Sequence, residues 1–469
     1  MPEKYHIETK PVQSRLPHIG RCGVVDWRED CAGCHNCVKK ACVFDRYRQE
    51  TQYIRGLRDT DTLFFDCMGC FSCVQQCTKG LLSLSLNPVY ENLGNSYWTP
   101  NIIQTTWDQA ETAKIPVSGG GYRGKFSGAG FDSMWTDMSE IVRPTRDGIH
   151  GREYISTAVD IGRKPALLYF DGDRPTSALS SLVDIPMPLI IDMMPPDYRL
   201  LKLIPIFKTV AVKNGLLMIV DSQDYEMLGN DTDQCLPNIV FYLKAGAPLP
   251  PIEILQKTRT VEISDGDDIE QRIKRLKDIH PGIVVAVRVE LDSRGEERAI
   301  EIAHQQFIEV IHLVADMNGN QIGVPNPRFI KDMVRNIHTS LVKSGIRDEI
   351  TLIAGGGIAL AEHLAKQMIC GADLVSINLP LLIALECRLC KKCVAGASCP
   401  ARIHEIDNNY GVGRMTNLIG AWHDQLIEVM GAMGIREARR LRGEVGRAMF
   451  FEDLEVETFG KLFGSRKKA

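Results

Sequence analysis

The sequence has 469 residues and a formal net charge of −4 at pH 7, with 44% hydrophobic and 24% charged residues. This balance is typical of a globular protein with room for two or three domains, and it gives no electrostatic reason to expect nucleic acid or an anionic membrane as a partner. No apolar run reaches the roughly 18 residues of a spanning helix, and residues 1–20 lack the apolar core of a signal peptide, so we expect a cytoplasmic protein.

The fifteen cysteines are not scattered along the chain. They are concentrated in three groups at 31–42, 67–77 and 387–399, and only Cys22, Cys235 and Cys370 stand apart. Cytosolic thiols stay reduced, so grouped cysteines indicate metal sites rather than disulfides. We interpret the three isolated cysteines as buried thiols.

The first two groups have three cysteines at a spacing of two, followed by a fourth. This pattern is typical of ferredoxins with two 4Fe–4S clusters, in which the fourth cysteine ligates the other cluster. The predicted metal ligands are Cys31, Cys34, Cys37 and Cys77 for one cluster, and Cys67, Cys70, Cys73 and Cys42 for the other. Val43 and Thr78 replace the proline that usually follows the fourth cysteine, and paired zinc knuckles are the alternative. We therefore predict an α+β ferredoxin-like domain over residues 1–86.

Residues 87–164 show little periodicity, and we interpret them as a connector wrapped on the following domain. Gly119, Gly121 and Gly124 have the spacing of a dinucleotide fingerprint, but no strand precedes them, so we interpret them as part of a loop. Residues 143–152 are rich in arginine and are either a solvated loop or a segment that contacts a cluster or substrate.

From residue 165 onward, short apolar runs alternate with amphipathic helical stretches. The apolar runs are 165–170, 187–194, 216–222, 238–246, 282–290, 310–316, 349–357 and 372–380. The helical stretches include 268–279, 296–307, 327–345 and 360–370. Strands buried on both faces and separated by helices predict parallel βα units, and their number favours an α/β fold of the TIM (β/α)8 barrel type over residues 165–412. Residues 413–469 follow as a C-terminal helical segment.

The third cysteine group lies at the end of this barrel. Its four residues are Cys387, Cys390, Cys393 and Cys399, and proline follows the last of them. Four thiolates could hold a 4Fe–4S cluster and three could hold a 3Fe–4S cluster, while a structural zinc is the alternative. Arg388, Lys391 and Lys392 would offset the negative charge of a cluster.

A second feature of the barrel is glycine at Gly355, Gly356 and Gly357, and again at Gly371 beside Ala372. In TIM barrels the loops after the seventh and eighth strands commonly bind a phosphate through backbone N–H groups. We expect these glycines to bind a phosphate, because a Cβ would keep it away from the backbone.

The stretch from Asn326 to Cys399 resembles the FMN domain of glutamate synthases. It shares the glycine turn, the strand and helix that follow it, and cysteines 387, 393 and 399 at the positions of that family's 3Fe–4S ligands. Cys390 is additional here and favours a four-iron cluster. Residues 97–119 resemble the archaeal-type glutamate-synthase-like proteins, which also carry N-terminal ferredoxin modules, so that the resemblance covers about residues 20–450.

This resemblance implies FMN across the barrel mouth. The cofactor-binding residues that it implies are Met193, Met194, Arg288, Gly355, Gly356, Gly357, Gly371, Ala372 and Asn378. Arg288 stands where the family has a lysine near the flavin and the substrate, which makes it the candidate catalytic residue. Arginine can place positive charge beside a flavin or fork onto a carboxylate, but it cannot titrate as lysine can. The loops at 193–199, 220–224, 245–250 and 317–321 also depart from the family, so glutamate formation is not expected.

Two functions follow from these observations. The first is an iron–sulfur flavoprotein oxidoreductase that passes electrons between the ferredoxin clusters, the barrel cluster and FMN. The second is a non-catalytic electron-relay or scaffold subunit of a larger anaerobic redox complex. Both require a redox partner protein, such as a ferredoxin or other subunits of a hetero-oligomeric complex. His304 and His312 are interpreted as structural.

Overall fold

A computed structural model describes most of the chain from residue 155 onward and parts of the chain before it. The described residues are 5–17, 19–24, 41, 43, 70, 72–80, 84–115, 130–136, 155–165, 167–175, 181–198, 200–229 and 232–464. The predicted cluster ligands Cys31, Cys34, Cys37, Cys42 and Cys67 lie outside the described residues, as do residues 116–129 and 143–152. Most of the predicted ferredoxin-like domain is therefore a prediction from sequence alone.

The centre of the molecule is a closed barrel of eight parallel strands. In chain order they are β1 (Leu189–Ile191), β2 (Leu217–Asp221), β3 (Ile239–Leu243), β4 (Thr260–Ser264), β5 (Val284–Glu290), β6 (Val310–Val314), β7 (Thr351–Gly355) and β8 (Leu374–Ile377). Each strand pairs with its neighbours in the sequence, and β8 closes the barrel against β1 through Val375 and Leu189. The predicted (β/α)8 fold is confirmed.

One predicted strand is wrong, and one strand of the barrel was not predicted. The run 165–170 is not a barrel strand, because Leu167, Leu168, Tyr169 and Phe170 are each more than half exposed and Phe170 belongs to a small hairpin. The missing strand is β4, whose sequence TVEIS carries a glutamate in the middle. This strand was not predicted because the buried Glu262 interrupts its apolar pattern.

The helices cover the outside of the barrel. The longer ones are α1 (Pro100–Thr112), α2 (Ile204–Lys213), α3 (Ile269–Ile279), α4 (Gly295–Ala303), α5 (Ile330–Lys343), α6 (Ala361–Ile369), α7 (Leu379–Ala384) and α8 (Asn408–Ala432). Short helices are Ser72–Gln75, Pro88–Glu91, Thr232–Cys235, Ile252–Leu255, Phe451–Leu454 and Lys461–Phe463. In α5 the buried side chains recur every three to four residues, which places one apolar face on the barrel.

Within the described residues, four antiparallel strand pairs lie outside the barrel. They join Cys22–Val24 to Leu84–Leu86, Met134–Thr136 to Ala448–Phe450, Val159–Ile161 to Val183–Ile185, and Phe170–Asp171 to Arg174–Pro175. The second pair lies partly in the predicted C-terminal helical segment, which is helical in α8 but continues with short 3-10 turns at Ala438–Leu441 and Val445–Arg447 before the strand.

The segment before the barrel packs closely on it. Helix α1 begins at Pro100, where the Thr99 side chain accepts a hydrogen bond from the Ile102 N–H, and it lies against α8. The fully buried Arg414 of α8 donates to carbonyls of Ala384, Val12 and Trp107, and so joins α7, residues 5–17 and α1. No helix in the described part of the chain is long and apolar enough to span a bilayer.

Candidate functional site

A cavity of about 430 Å³ opens at the carboxyl ends of the barrel strands. Its volume lies within the range of small-molecule pockets, roughly 300–1,000 Å³. Five residues predicted from the sequence line it, namely Met193, Met194, Arg288, Gly356 and Asn378. The other lining residues are Asp192, Pro195, Pro196, Leu200, Leu201, Ile204, Phe207, Met218, Ile219, Val220, Asp221, Asp224, Tyr242, Lys244, Glu290, Val314, Ala315, Asp316 and Met317.

The floor of this cavity is a closed network of polar side chains inside the barrel. We call it the floor network, and its members are Asp192, Glu262, Arg288, His312 and Ser376. They come from the ends or interiors of β1, β4, β5, β6 and β8, where TIM barrels usually place layers of branched apolar side chains. Asp192, Glu262, His312 and Ser376 are all at least 94% buried.

Arg288 is the hub of the floor network. Its Nη1 donates to Asp192 Oδ1 at 3.0 Å and to Glu262 Oε1 at 2.7 Å, and its Nη2 donates to Asp192 Oδ2 at 3.0 Å. On the far side, His312 Nδ1 lies 2.8 Å from Glu262 Oε2 and His312 Nε2 lies 2.8 Å from Ser376 Oγ. The Ser376 hydroxyl closes the circle to Asp192 Oδ2 at 3.5 Å. The candidate catalytic arginine is therefore engaged by two carboxylates of its own chain.

Electrostatics keep both of these carboxyl groups ionised. Burial alone would raise the pKa of Asp192, but Arg288 and His312 hold it below its ordinary value. The pKa of Glu262 is likewise lowered by His312 and Arg288 against the effect of burial. Burial acts to lower the pKa of the Arg288 guanidinium, but the two carboxylates raise it above its ordinary value.

Gly355 makes room for this network. A Cβ at Gly355 would lie 2.2 Å from Ser376 Oγ and 3.1 Å from His312 Nε2. Glycine is therefore required here by the hydrogen bond between His312 and Ser376, and not by a phosphate as the sequence suggested.

Gly356 and Gly357 allow the turn after β7 to lie in close contact with the loop after β6. Gly356 has φ +98° and Gly357 has φ +68°. A Cβ on Gly356 would lie 2.6 Å from the Asp316 carbonyl oxygen, and one on Gly357 would lie 2.5 Å from the Gly319 Cα. The loop after β6 thus occupies the space beside the turn. In the described part of the chain, the N–H groups of Gly356, Gly357 and Ile358 donate to no protein acceptor outside the strand ladders.

This packing leads to a first prediction. Gly357→Ala is expected to lower the free energy of unfolding by about 2–4 kcal/mol, from left-handed backbone strain plus overpacking. Gly323→Ala is the matched control, because Gly323 has the same φ of +68° with no atom within 4 Å of its Cβ position. The control should lose only the backbone part, about 1–2 kcal/mol. Equal losses by urea denaturation would show that the contact with Gly319 is unimportant.

Gly371 and Ala372 are not part of the cavity, which corrects their expected role. They precede β8, so they lie at its amino end, whereas the cavity lies at the carboxyl ends. Arg347 Nη2 donates to the Gly371 carbonyl, and a Cβ on Gly371 would lie 2.3 Å from His338 Cβ. The loop that follows β8 begins at Asn378, whose Nδ2 donates to the Met193 carbonyl at 3.1 Å.

The third cysteine group forms one loop beside the cavity. Cys387 is buried, Cys390 and Cys399 are half-buried, and Cys393 is exposed. Burial and the nearby Cys399, Cys390 and Cys393 raise the pKa of the Cys387 thiol to about 12. Of the five non-glycine residues with positive φ in the described part of the chain, four belong to this loop or its ends, namely Glu386, Leu389, Lys391 and Arg402.

The N-terminal segment anchors this loop. Glu386 precedes Cys387 and is 3% exposed, and its carboxylate accepts from the backbone N–H of Arg15 at 2.7 Å and from Arg15 Nε at 3.0 Å. Residues before the barrel thus hold the start of the cysteine loop in place.

Tyr198 connects the cysteine loop with the cavity. It is 4% exposed, and its pKa is raised to about 12 by burial and by the neighbouring Cys387 and Cys393. The segment just before it, Met193–Pro196, lines the cavity. Two features that the sequence predicted separately are thus joined by one short segment.

The described part of the ferredoxin motif is small. Cys70 is exposed, and Cys73 and Cys77 are half-buried. Among the described residues, no three His, Cys, Asp or Glu side chains converge as ligands of a single metal ion. The three predicted clusters remain predictions from the cysteine spacing.

Sequence reasoning missed most of the floor network. It identified Arg288, interpreted His312 as structural, and did not single out Asp192, Glu262 or Ser376. The available signal was a polar residue inside a run of buried strand residues, as at Glu262 in β4 and His312 in β6.

Comparison with known proteins adds the family. Residues 250–436 match the family described as the conserved region in glutamate synthase. The archaeal-type glutamate synthase (NADPH) of Dehalococcoides mccartyi is 24% identical over 480 residues, covering 90% of this chain and 93% of that protein. The archaeal glutamate synthase (NADPH) of Archaeoglobus fulgidus is 23% identical over 514 residues, covering 93% and 96%. The chain is related to the glutamate synthases along most of its length.

Other similarities are narrower. The archaeal glutamate synthase (NADPH) of Methanocaldococcus jannaschii is 31% identical over 150 residues, which cover 30% of this chain and 29% of that protein. Among solved structures, a mandelate oxidase is 11% identical with a TM-score of 0.36, covering 66% of this chain and 97% of that one. This glutamate-synthase-related protein thus aligns with its archaeal-type relatives along most of its length.

Proposed function

We propose that this glutamate-synthase-related protein is an iron–sulfur flavoprotein oxidoreductase that acts on a substrate other than 2-oxoglutarate. The observation that carries the proposal is the position of the cavity at the carboxyl ends of the barrel, joined through Met193–Pro196 and Tyr198 to the loop of Cys387–Cys399. A cofactor in the cavity and a cluster in the loop would then be neighbours.

The residues present fit a flavin mononucleotide. The N–H groups of residues 356–358, at the carboxyl end of β7, are available to phosphate oxygens. Met193 and Met194 offer polarisable apolar contacts, and Tyr242 adds an aromatic wall. When bound, a flavin exchanges single electrons with clusters and electron pairs with an organic substrate.

The cysteine loop fits an anionic cluster. Leu389 and Lys391 have left-handed backbone conformations, which are typical of the nests of backbone N–H groups that bind anions and iron–sulfur clusters. Arg388, Lys391 and Lys392 add positive charge. We propose that Cys387, Cys390, Cys393 and Cys399 bind a 4Fe–4S cluster, and that the N-terminal cysteines bind two more that receive electrons from a redox partner protein.

The chain's own residues orient the substrate and keep water out. Arg288 holds Asp192 in place at the floor, while Lys244 Nζ donates to Asp221 Oδ2 at 2.8 Å at the rim. Asn378 holds the Met193 backbone, which sets the wall between cavity and cysteine loop. Because Arg288 is engaged by Asp192 and Glu262, it does not replace the family's lysine as a free cation.

The pairing of Arg288 with Asp192 and Glu262 also favours a second function, that of an electron-relay subunit without a bound flavin. Anaerobic purification followed by analysis of flavin, iron, sulfide and zinc separates the two. Flavin released on denaturation, together with iron and sulfide, is the result expected for the oxidoreductase. Iron and sulfide without flavin would indicate the relay, and zinc without sulfide would contradict both.

A further inference from the structure

The floor of the cavity contains a carboxylate bound as a ligand would be. Asp192 meets Arg288 through two parallel hydrogen bonds of 3.0 Å, from Nη1 to Oδ1 and from Nη2 to Oδ2. This forked geometry is the one by which arginine recognises the carboxylates and phosphates of ligands. Both residues line the cavity, so the fork lies where a ligand entering it would arrive.

Asp192 is held firmly in this position. Its Oδ1 also accepts from the Met193 N–H at 2.8 Å, and its Oδ2 accepts from the Ser376 hydroxyl at 3.5 Å. It is 5% exposed, and the second hydrogen bond of Arg288 Nη1 goes to Glu262, which is 1% exposed. Because Asp192 and Glu262 are buried, a rearrangement of surface side chains would not make the Arg288 guanidinium available to a ligand.

We propose that Asp192 is a built-in carboxylate that occupies the place of a ligand carboxylate on Arg288, and that it makes the pocket selective for substrates without a carboxylate at the floor. This selectivity rests on the cavity being the substrate site of the proposed oxidoreductase. Two buried carboxylates already surround one guanidinium, so a third would add an uncompensated buried negative charge. A 2-oxo dicarboxylic acid such as 2-oxoglutarate is therefore excluded from the floor by this chain's own aspartate.

Removing the side chain of Asp192 should leave Arg288 Nη2 and part of Nη1 available to bind a ligand carboxylate. In Asp192→Ala, prepared anaerobically as the full chain, we expect 2-oxoglutarate and acetate to bind and to raise the thermal unfolding midpoint increasingly, with the logarithm of their concentration above Kd. Calorimetric titration should give a Kd for 2-oxoglutarate at least about tenfold lower in the variant than in the wild type, which is about 1.4 kcal/mol.

Asp221→Ala is the matched control. Asp221 lines the same cavity, is 6% exposed and pairs with a cation, Lys244, but its partner is a single ammonium rather than a fork. It removes the same charge but frees only the half-exposed Lys244 ammonium and leaves Arg288 paired with Asp192, so its gain in carboxylate binding should be well below that of Asp192→Ala. An equal gain in this control would assign the effect to general electrostatics and overturn the proposal.

A second variant guards against misfolding. Asp192→Ser keeps an acceptor for the Met193 N–H and still frees the fork, so it should also gain carboxylate binding. Tight binding of 2-oxoglutarate to the wild type, or no binding to either Asp192 variant, would overturn the proposal. Flavin, iron and sulfide are measured on the same wild-type samples, so a failure of the proposed function is seen separately from a failure of the built-in carboxylate.

Discussion

Arg288→Met is expected to lower the free energy of unfolding by about 3–5 kcal/mol at pH 7, because it leaves two buried carboxylates without their cation. Methionine retains much of the packing volume, so the loss measures charge rather than a cavity. Urea denaturation followed by circular dichroism measures it. A loss below about 1 kcal/mol would show that the floor network is solvated like a surface ion pair.

The pH dependence of that loss has a definite sign. In the wild type the pKa values of Asp192 and Glu262 are lowered, so the stability they contribute is present above their ordinary pKa near 4 and disappears as the pH falls through the lowered values. Without Arg288 both carboxyl groups would take up protons more readily. The difference between variant and wild type should therefore be largest near neutral pH and should shrink as the pH falls below about 4.

Arg298→Met is the matched control for Arg288→Met. Arg298 also binds one carboxylate through two nitrogens, with Nε and Nη2 both about 3.0 Å from Asp265, but its side chain is 25% exposed and that of Asp265 is 28% exposed. Water can solvate both partners when the pair is broken. We expect a loss below about 1 kcal/mol.

If the cysteine loop binds the proposed four-iron cluster, Cys390→Ser is expected to leave a three-iron cluster on Cys387, Cys393 and Cys399, because it removes one of the four thiolate ligands. Anaerobically purified variant should contain about one iron less per chain and show an oxidised-state EPR signal that the wild type lacks. Unchanged iron content and no new signal would mean that Cys390 is not a ligand.

Cys370→Ser is the control for this substitution. Cys370 is fully buried, belongs to none of the cysteine groups, and its Sγ lies 3.6 Å from Met134 Sδ. Burial raises the pKa of its thiol to about 12, as expected for an inert cysteine rather than a ligand. The variant should retain the wild-type iron content even if its stability falls.

The floor network is stable only when all of its members are paired. A buried network with two carboxylates is more costly than an apolar layer unless every member is paired. Here each member has a partner from another strand, and Gly355 leaves the space that the His312–Ser376 bond needs. Substituting one member without the others is therefore expected to be poorly tolerated.

The barrel is predictable from the sequence, because strands buried on both faces and separated by amphipathic helices can pack in few other ways. The cysteine groups and the importance of Arg288 and Met193 were predicted from the sequence as well. That Gly371 lies at the opposite end of the barrel from Gly356 came from the tertiary structure, because Gly371 precedes β8 and therefore lies at its amino end.

The ion-pair partners of Arg288 could not be predicted from the sequence either. Asp192 lies 96 residues before Arg288 and Glu262 lies 26 residues before it, and nothing in either local pattern relates them. Closure of a parallel barrel brings such distant residues to one level around a common axis, because each strand contributes inward-facing side chains at regular heights. The charge at the floor of the pocket is therefore a property of the closed barrel and of no single segment.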